Sequence, residues 1–467
     1  KSSWMRGGWH ALFTGLATLT FGFVGFAGAL DNAILAGQCD KDALSYRPGE
    51  EMVFRLVLDK VEGPVPEGEY RIRWRATGDD GSVTNGIAPI LARPEPLVIR
   101  TSLSKPGFVR VNAYVIGKDG RHFLKPGKRL YYDTGIEFDG GAAVEPEKLE
   151  AVPEPADFDA FWKDRRAELD AVPFDVTACR EPVRTSAGGL LGFRVAIPCA
   201  GGRPVTGYLY LPRDASATKR YPARAVFDGY GVYNPRVVWN GEGGGKEIVL
   251  HINAHGAPLG LSDTDFDVWA TQHVQPKDAK GLDRYALSAD EHRSPTNAYF
   301  LGMAYRVQRA MDYLKALPEW NGTDLTASGG SQGGMQSVWA AGLDAAVTRL
   351  EILVPWCCNI GGHDVQGRNR KNWGVQWTSA MGYFDTVNFG KRVSRNAVAV
   401  ISRAGLGDYT CPPEGVACLY NALPCRKSIT WIQASTHPFT PRWPHRKDFT
   451  FAVTELEGEL ALKPTFV

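Results

Sequence analysis

The sequence predicts an α/β domain with a mostly parallel sheet flanked by helices, preceded by a small immunoglobulin-like β-sandwich. Up to about residue 139, short alternating runs of polar and apolar residues are separated by turn residues, which is typical of antiparallel strands. From about residue 156, strand-like runs alternate with helical stretches, which is typical of a parallel sheet. A chain of 467 residues has room for two or three domains.

The composition is that of a folded globular protein, with 44% hydrophobic and 22% charged residues. Lysine and arginine number 53 and aspartate and glutamate 51, which gives a net charge of +2. Binding to nucleic acid draws on an excess of positive charge, so we expect no nucleic-acid partner.

An apolar stretch near the start of the chain resembles a secretory signal peptide. Residues 5–29 carry a basic residue, Arg6, then an apolar run, and they end in the small residues Ala27-Gly28-Ala29. We expect cleavage there and an exported protein, periplasmic or extracellular, with no stable membrane partner. An uncleaved anchor is the alternative, because about 18 apolar residues just span a bilayer. The glycines of the run favour cleavage.

The chain contains eight cysteines, and an even number in an exported chain permits disulfides. Their pairing stays open. No C-x-x-C pair or zinc-type spacing is present, so we expect no metal site. The cysteines are Cys39, Cys179, Cys199, Cys357, Cys358, Cys411, Cys418 and Cys425.

The predicted β domain covers residues 31–139. Its segment Tyr70-Arg71-Ile72-Arg73-Trp74-Arg75 alternates perfectly, which places three arginines on one face of a strand and the apolar residues on the other. Asp80-Gly81 and Asp119-Gly120 are dipeptides typical of hairpin turns. Carbohydrate binding and a packing or assembly role both stay open for this domain. Residues 140–155, rich in Gly, Pro and Glu, are predicted to be a linker.

The predicted α/β domain covers residues 156–467. Its first helix is expected from Phe158 to about Asp170 with Asp157 as N-cap, and a long helix is expected from about Pro295 to Leu317 with its start capped by Ser294. The predicted strands are Phe193–Ile197, Val205–Leu211, Arg224–Phe227, Leu325–Ser328, Leu350–Val354, Ala397–Ile401 and Ser428–Gln433.

Residues 329–333, Gly-Gly-Ser-Gln-Gly, match the G-x-S-x-G pattern of a nucleophile elbow. They follow the predicted strand Leu325–Ser328 and precede a helical run, Met335–Leu343, which is the context that the motif requires. A serine at such a strained turn is exposed, and the glycines on either side let strand and helix approach each other. Ser331 is therefore the predicted nucleophile.

A serine nucleophile needs a general base, and in this arrangement the chain order is serine, acid, histidine. Three histidines follow Ser331. His437 comes directly after the last predicted strand, where the base is expected. His445, in a polar tail, is the alternative, and His363 comes too early and is assigned to a loop or to substrate contact.

The acid that orients the base is predicted to be Asp408. It follows the strand Ala397–Ile401 closely, where its carboxylate can accept the imidazole Nδ1–H of His437. Asp364 and Asp385 are the alternatives, but neither directly follows a strand end in the right interval.

The donors for the developing oxyanion are predicted to be two backbone N–H groups. The loop Asp228-Gly229-Tyr230-Gly231 follows the strand Arg224–Phe227, and its glycines can bend the Tyr230 N–H toward Ser331. The N–H of Gln332, at the start of the next helix, is the second predicted donor.

Taken together, these motifs make the chain from about residue 156 to its end resemble the acetyl xylan esterase and cephalosporin C deacetylase family, carbohydrate esterase family 7, which has the α/β-hydrolase fold. The matching segments are Phe158-Asp159-Ala160-Phe161-Trp162, Gly207-Tyr208-Leu209-Tyr210-Leu211-Pro212, Asp228-Gly229-Tyr230, the elbow with Gly334, Gly407-Asp408, Cys411-Pro412-Pro413, Tyr420-Asn421 and His437.

The resemblance implies a triad of Ser331, Asp408 and His437, with the amides of Tyr230 and Gln332 as the oxyanion hole. It also implies removal of acetyl groups from xylan, xylo-oligosaccharides or related glycans, without a metal or cofactor.

The chain departs from the family pattern at several places. Asp228 stands where the family usually has His, His255-Gly256-Ala257 replaces Arg-Gly-Gln, and His437-Pro438 replaces His-Glu. The compact bacterial deacetylases also lack the N-terminal β domain. We therefore expect a divergent, exported branch.

Aromatic residues near these loops are candidates for contact with a sugar. They are Trp356, Trp373 and Trp377, to which His363 is added as a polar contact. Core packing is the alternative for each tryptophan. The expected partner is an acetylated carbohydrate. An esterase or peptidase of the same fold acting on another acyl substrate and a noncatalytic glycan-binding protein are the alternatives, and a homo-oligomer stays open.

Overall fold

The structure is a computed structural model that describes residues 28–90, 95–125, 135–185, 189–236, 245–274, 284–369, 374–438 and 440, and the backbone of 450–456 and 459–462. The predicted signal peptide, residues 5–29, lies outside the described residues except for its last two. Trp373 and His445 lie outside them as well.

The N-terminal domain is a sandwich of two antiparallel sheets, with strand orders β1-β2-β5 and β4-β3-β6-β7. This is the immunoglobulin-like arrangement that the sequence predicts. In β3 the apolar Ile72 is buried and Arg75 is exposed, as the alternation requires. The strands are β1 (Ile34–Cys39), β2 (Glu51–Asp59), β3 (Tyr70–Gly78), β4 (Val83–Pro89), β5 (Leu97–Ser102), β6 (Gly107–Gly117) and β7 (Glu137–Val144).

The range predicted as a linker, 140–155, begins with a buried strand. β7 continues to Val144, and every residue from Phe138 to Val144 is buried. Gly140 and Gly141 suggest a flexible linker from composition alone. In the structure, neighbouring atoms approach the backbone at these positions so closely that a larger residue would clash. A Cβ on Gly141, for example, would lie 2.3 Å from the Val109 carbonyl oxygen.

The second domain is built on a sheet with the strand order β18-β17-β16-β15-β14-β13-β11-β12-β10-β9-β8. The six neighbouring strands β12, β11, β13, β14, β15 and β16 pair in parallel in that order, and β10 runs antiparallel to both of its neighbours. The strands are β8 (Arg180–Val183), β9 (Leu190–Ile197), β10 (Val205–Pro212), β11 (Tyr221–Phe227), β12 (Ile248–Asn253), β13 (Trp320–Ser331), β14 (Arg349–Pro355), β15 (Val398–Gly405), β16 (Arg426–Ile432), β17 (Thr450–Leu456) and β18 (Glu459–Leu462).

Helices flank this sheet, and the long α3 and α4 are almost completely buried. The mostly parallel sheet with a serine at the β13–α4 turn is the α/β-hydrolase fold. The helices are α1 (Phe158–Asp170), α2 (Asp263–His273), α3 (Tyr299–Ala316), α4 (Gln332–Leu343), α5 (Gly362–Gln366), α6 (Thr386–Gly390) and α7 (Pro413–Ala422). Short 3₁₀ turns occur at Pro146–Lys148, Ala289–His292 and Ser379–Tyr383.

Two predicted helix caps are not formed. α3 begins at Tyr299 rather than near Pro295, because the Ser294 hydroxyl pairs with that of Thr296 at 2.8 Å and Ala298 is the N-cap. The α1 bounds are as predicted, but the Asp157 carboxylate accepts a hydrogen bond from the Tyr383 hydroxyl and does not cap the helix.

One large hydrophobic core runs through both domains. Across the junction, the Phe108 ring of β6 lies 5.4 Å from the Trp431 ring of β16. No disulfide links the described cysteines. Among the helices of the described segments, none is both long and apolar enough to cross a membrane.

Candidate active site

Ser331 occupies the turn between β13 and α4 in a backbone conformation that non-glycine residues rarely adopt. Its φ is 56° and its ψ is −117°. Two glycines make this turn sterically feasible: a Cβ on Gly333 would lie 2.1 Å from the Phe227 carbonyl oxygen, and one on Gly329 would lie 2.6 Å from the Gly333 carbonyl carbon. Strain of this kind costs about 1–3 kcal/mol and is characteristic of functional turns. The geometry is that of a nucleophile elbow.

Asp408 and His437 are directly bonded, as predicted. The His437 Nδ1 lies 2.9 Å from the Asp408 Oδ2, and since a carboxylate only accepts, this nitrogen carries the proton. The other carboxylate oxygen, Oδ1, accepts the backbone N–H groups of Thr410 at 3.0 Å and Cys411 at 2.9 Å. The Asp408 side chain is 2% exposed and that of His437 is 25% exposed. The pair therefore leaves Nε2 of a half-buried imidazole available as a base.

The thiol of Cys411 lies beside this pair. Its sulfur lies within 4.8 Å of ligand atoms of both Asp408 and His437. Burial raises the pKa of the Cys411 thiol well above its usual range, and the Asp408 charge adds to the rise. The thiol therefore stays protonated. Ser331 ends β13, Asp408 follows the end of β15 by three residues and His437 follows the end of β16 by five, so all three lie at the carboxyl ends of parallel strands.

The loop after β11, which carries Tyr230, is tied to the start of α4 by Tyr285, a residue that the sequence analysis missed. The Tyr285 hydroxyl accepts the Gly231 N–H at 3.0 Å and donates to the Gln332 Oε1 at 2.7 Å. Its ring stacks on that of Tyr230 with centroids 4.2 Å apart, and its carbonyl accepts the Tyr230 hydroxyl at 2.8 Å. Burial raises the pKa of Tyr285 well above its usual range, so it remains a neutral phenol that can donate. No motif marks Tyr285 in the sequence.

His255 also holds this loop, and its ring packs edge-on against that of Tyr285 with centroids 4.6 Å apart. Its Nε2 lies 3.0 Å from the Gly231 carbonyl oxygen and its Nδ1 lies 2.8 Å from the Tyr299 hydroxyl. Burial lowers the pKa of His255 to about 3, so the ring is neutral. A neutral ring bonded to a carbonyl must carry its proton on Nε2, which donates to Gly231, while Nδ1 accepts from Tyr299. The histidine that replaces the family's arginine therefore supports the Tyr230 loop.

Asp228, the other departure from the family pattern, pairs with His251 on β12. The Asp228 Oδ1 lies 2.7 Å from the His251 Nε2. This histidine precedes Ser331 in the chain and was not among the predicted bases. His251 is therefore the hydrogen-bonding partner of the aspartate that stands where the family usually has a histidine.

The predicted sugar contacts separate into two groups. Trp356 is 1% exposed and packs edge-on against Tyr230 with ring centroids 5.3 Å apart, so it is a core residue beside the Tyr230 loop and does not present a face for a sugar. Trp377 is half-buried and lies next to Gly361, where an added Cβ would be 3.2 Å from the indole. His363 follows in α5 with 38% of its side chain exposed. Trp377 and His363 therefore both lie beside the loop that connects β14 with α5.

The alternative acids bond to other groups. Asp385 is buried, and its carboxylate accepts the N–H groups of Asn359 at 3.0 Å, Ile360 at 2.6 Å and Val387 at 3.0 Å. It caps α6 and fixes the loop after β14. Asp364 lies in α5 beside His363, with 3.3 Å between its Oδ1 and the His363 Nδ1.

Comparison with known proteins gives consistent similarities. A family model described as acetyl xylan esterase (AXE1) matches residues 148–361 and 367–455. The acetyl esterase Axe7A of Xylanibacter ruminicola is 26% identical over 347 residues, which cover 72% of this chain and 72% of that protein.

Two solved structures are also similar. Acetyl xylan esterase 1 from Thermoanaerobacterium sp. JW/SL YS485 has a TM-score of 0.49 at 18% identity, covering 64% of this chain and 93% of that chain. The acetyl xylan esterase from Paenibacillus sp. R4 has a TM-score of 0.49 at 19% identity, covering 64% and 94%. Since the family model matches well over half of the sequence, the chain belongs to the acetyl xylan esterase family, whose members are hydrolases.

Proposed function

We propose that the protein is a serine esterase that removes acetyl groups from acetylated xylan, xylo-oligosaccharides or related glycans through an acyl-enzyme on Ser331. The observation that carries this proposal is the 2.9 Å bond between His437 Nδ1 and Asp408 Oδ2 beside the strained Ser331 turn. The predicted signal peptide supports the further proposal that the enzyme is exported and acts outside the cytoplasm.

The reaction follows from the positions of these groups. The Ser331 Oγ attacks the ester carbonyl carbon while His437 Nε2 takes the hydroxyl proton, and Asp408 stabilises the imidazolium. The carbonyl oxygen becomes an oxyanion, for which the N–H groups of Tyr230 and Gln332 are the proposed donors. The C–O bond to the sugar breaks as His437 returns the proton to the leaving hydroxyl. Water, deprotonated by His437, then attacks the acetyl-enzyme and releases acetate and free Ser331.

The test is acetate release from acetylated xylo-oligosaccharides by the wild type, Ser331→Ala and Ser328→Ala. Ser328 is the matched control, since it lies on the same strand and its hydroxyl donates to the Ala225 carbonyl at 3.2 Å. We expect Ser331→Ala to lose turnover by about 10⁴-fold or more, and Ser328→Ala to keep it.

Labelling by a fluorophosphonate separates the alternatives. A wild type that is labelled at Ser331 but releases no acetate would be an esterase or peptidase for another acyl group. A folded wild type with neither labelling nor release would be a noncatalytic glycan-binding protein. An active Ser331→Ala enzyme would overturn the assigned nucleophile.

A further inference from the structure

Three segments from both domains meet directly behind Asp408 and His437. They are residues 139–141 of β7, the loop 405–411 that carries Asp408, and the loop 433–437 that carries His437. The Gln433 side chain, 1% exposed, links the last of these to β7: its Oε1 accepts the Gly141 N–H at 2.9 Å and its Nε2 donates to the Gly141 carbonyl at 2.8 Å. One side-chain amide thus bonds both the backbone N–H and the backbone carbonyl of one residue in the other domain, as a neighbouring strand would.

Glycines allow these backbones to touch. A Cβ on Gly407 would lie 1.9 Å from the Asp139 carbonyl oxygen, and one on Gly140 would lie 2.1 Å from the Gln433 Oε1. Between the two loops, the Gly407 N–H donates to the Ser435 carbonyl at 3.0 Å. The acid loop, the base loop and β7 therefore form one closely packed junction.

The β domain makes a second contact with the loop that carries Asp408. Arg110 of β6 binds the Asp139 carboxylate through two nitrogens, and its guanidinium lies 4.4 Å above the Tyr409 ring. Gly407 and Tyr409 are the chain neighbours of Asp408. The β domain thus contacts the acid loop immediately before and immediately after the acid.

We propose that the N-terminal β domain is part of the catalytic apparatus, because β7 holds the Asp408 and His437 loops in register, and that Gln433 is the positioning residue of this junction. Gln433 precedes His437 by four residues, and Ala434 between them has a φ of 55°, so the turn leaves little freedom to absorb a shift. The inference rests on the proposed roles of Asp408 and His437, and it assigns the β domain a task other than glycan binding.

The test compares Gln433→Met with Asn421→Leu. Methionine keeps the length of the side chain and removes both hydrogen bonds to Gly141. Asn421 is the matched control, because its Nδ2 also donates two hydrogen bonds to the segment after β7, to the Pro146 carbonyl at 2.9 Å and the Leu149 carbonyl at 3.0 Å. Asn421 lies outside both catalytic loops. The full-length variants are assayed with p-nitrophenyl acetate across pH, well below their melting temperatures.

We expect Gln433→Met to lower kcat by about 10- to 100-fold, since a displacement of about 1 Å near the reacting groups has this effect. KM should stay within about twofold and the acidic limb of the pH–rate profile should shift. Asn421→Leu should keep the wild-type kcat and pH profile while losing comparable thermal stability. A Gln433→Met enzyme with wild-type kcat and pH profile overturns the proposal, as does an equal loss of kcat in Asn421→Leu.

The rate of Ser331 labelling by a fluorophosphonate distinguishes this result from a failure of the proposed function. A wild type that is labelled but hydrolyses no acetyl ester contradicts the assigned substrate. Slower labelling in Gln433→Met alone would still support the positioning role, and equal labelling rates in all three proteins would refute it.

Discussion

The hydroxyl of Tyr285 is a single group on which both proposed oxyanion donors depend. It accepts from the Gly231 N–H at 3.0 Å and donates to the Gln332 Oε1 at 2.7 Å, in a position with no exposed surface. Tyr285→Phe removes only this oxygen. The phenyl ring can keep its stacking on Tyr230, where the centroids are 4.2 Å apart.

The size of the effect follows from the groups left behind. The Gly231 N–H and the Gln332 Oε1 both lose this hydrogen bond in a buried place, and each such loss costs about 1–3 kcal/mol. The free energy of unfolding should therefore fall by about 2–6 kcal/mol. Complete loss of one oxyanion donor lowers kcat by about 10²–10³-fold. Since Tyr285→Phe displaces the donors but does not remove them, kcat should fall by about 10- to 100-fold.

The assay is steady-state hydrolysis of p-nitrophenyl acetate together with urea unfolding, for Tyr285→Phe and for Tyr313→Phe. Tyr313 is equally buried and its hydroxyl donates to the Val176 carbonyl at 3.4 Å, away from the site. It should lose stability without losing kcat. The reasoning is refuted if Tyr285→Phe keeps the kcat of the wild type, or if Tyr313→Phe loses as much kcat as Tyr285→Phe.

Two further predictions concern the support of the site and its border. Burial lowers the pKa of His255 to about 3 from an ordinary value of 6.5, so between these pH values the unfolded chain binds a proton that the folded protein does not. The free energy of unfolding should therefore fall with decreasing pH in this window by about 1.4 kcal/mol per pH unit. Between pH 7 and pH 5, urea unfolding should show that His255→Gln loses about 2 kcal/mol less of this free energy than the wild type. Equal losses in the two proteins would contradict this. Trp377→Ala and His363→Ala should each raise KM for acetylated xylo-oligosaccharides about 3- to 10-fold while keeping kcat for p-nitrophenyl acetate. The control is Trp269→Ala on α2; an unchanged KM in both variants would show that these residues do not contact the sugar.

The elements that the sequence predicts well are those with a local signal. The G-x-S-x-G turn, the α1 bounds and the alternation of β3 depend on neighbouring residues alone, and the structure has all three. The pairing of Asp408 with His437 was predictable from chain order, since each follows the end of a strand.

The elements that were missed depend on contacts distant in sequence. β12 (Ile248–Asn253) and α2 (Asp263–His273) are not among the predicted elements. For β12 the reason is that a six-residue strand buried in the middle of a sheet has no alternation. Gly140 and Gly141 suggest a linker from composition, and only the structure shows that they lie in the buried strand β7 against neighbouring backbone. Tyr285 acts through a hydroxyl that contacts two distant loops, and Trp356 could be assigned to the core only from its burial.

The continuous core has a consequence for how this protein can be divided. Phe108 against Trp431 and Gly407 against Asp139 pack the β-sandwich directly against the hydrolase domain. Cutting the chain within residues 140–155 would therefore uncover apolar surface on both fragments. The two parts should melt as one cooperative unit, and exchanging either part with that of a relative would require the junction glycines and Gln433 to be transferred with it.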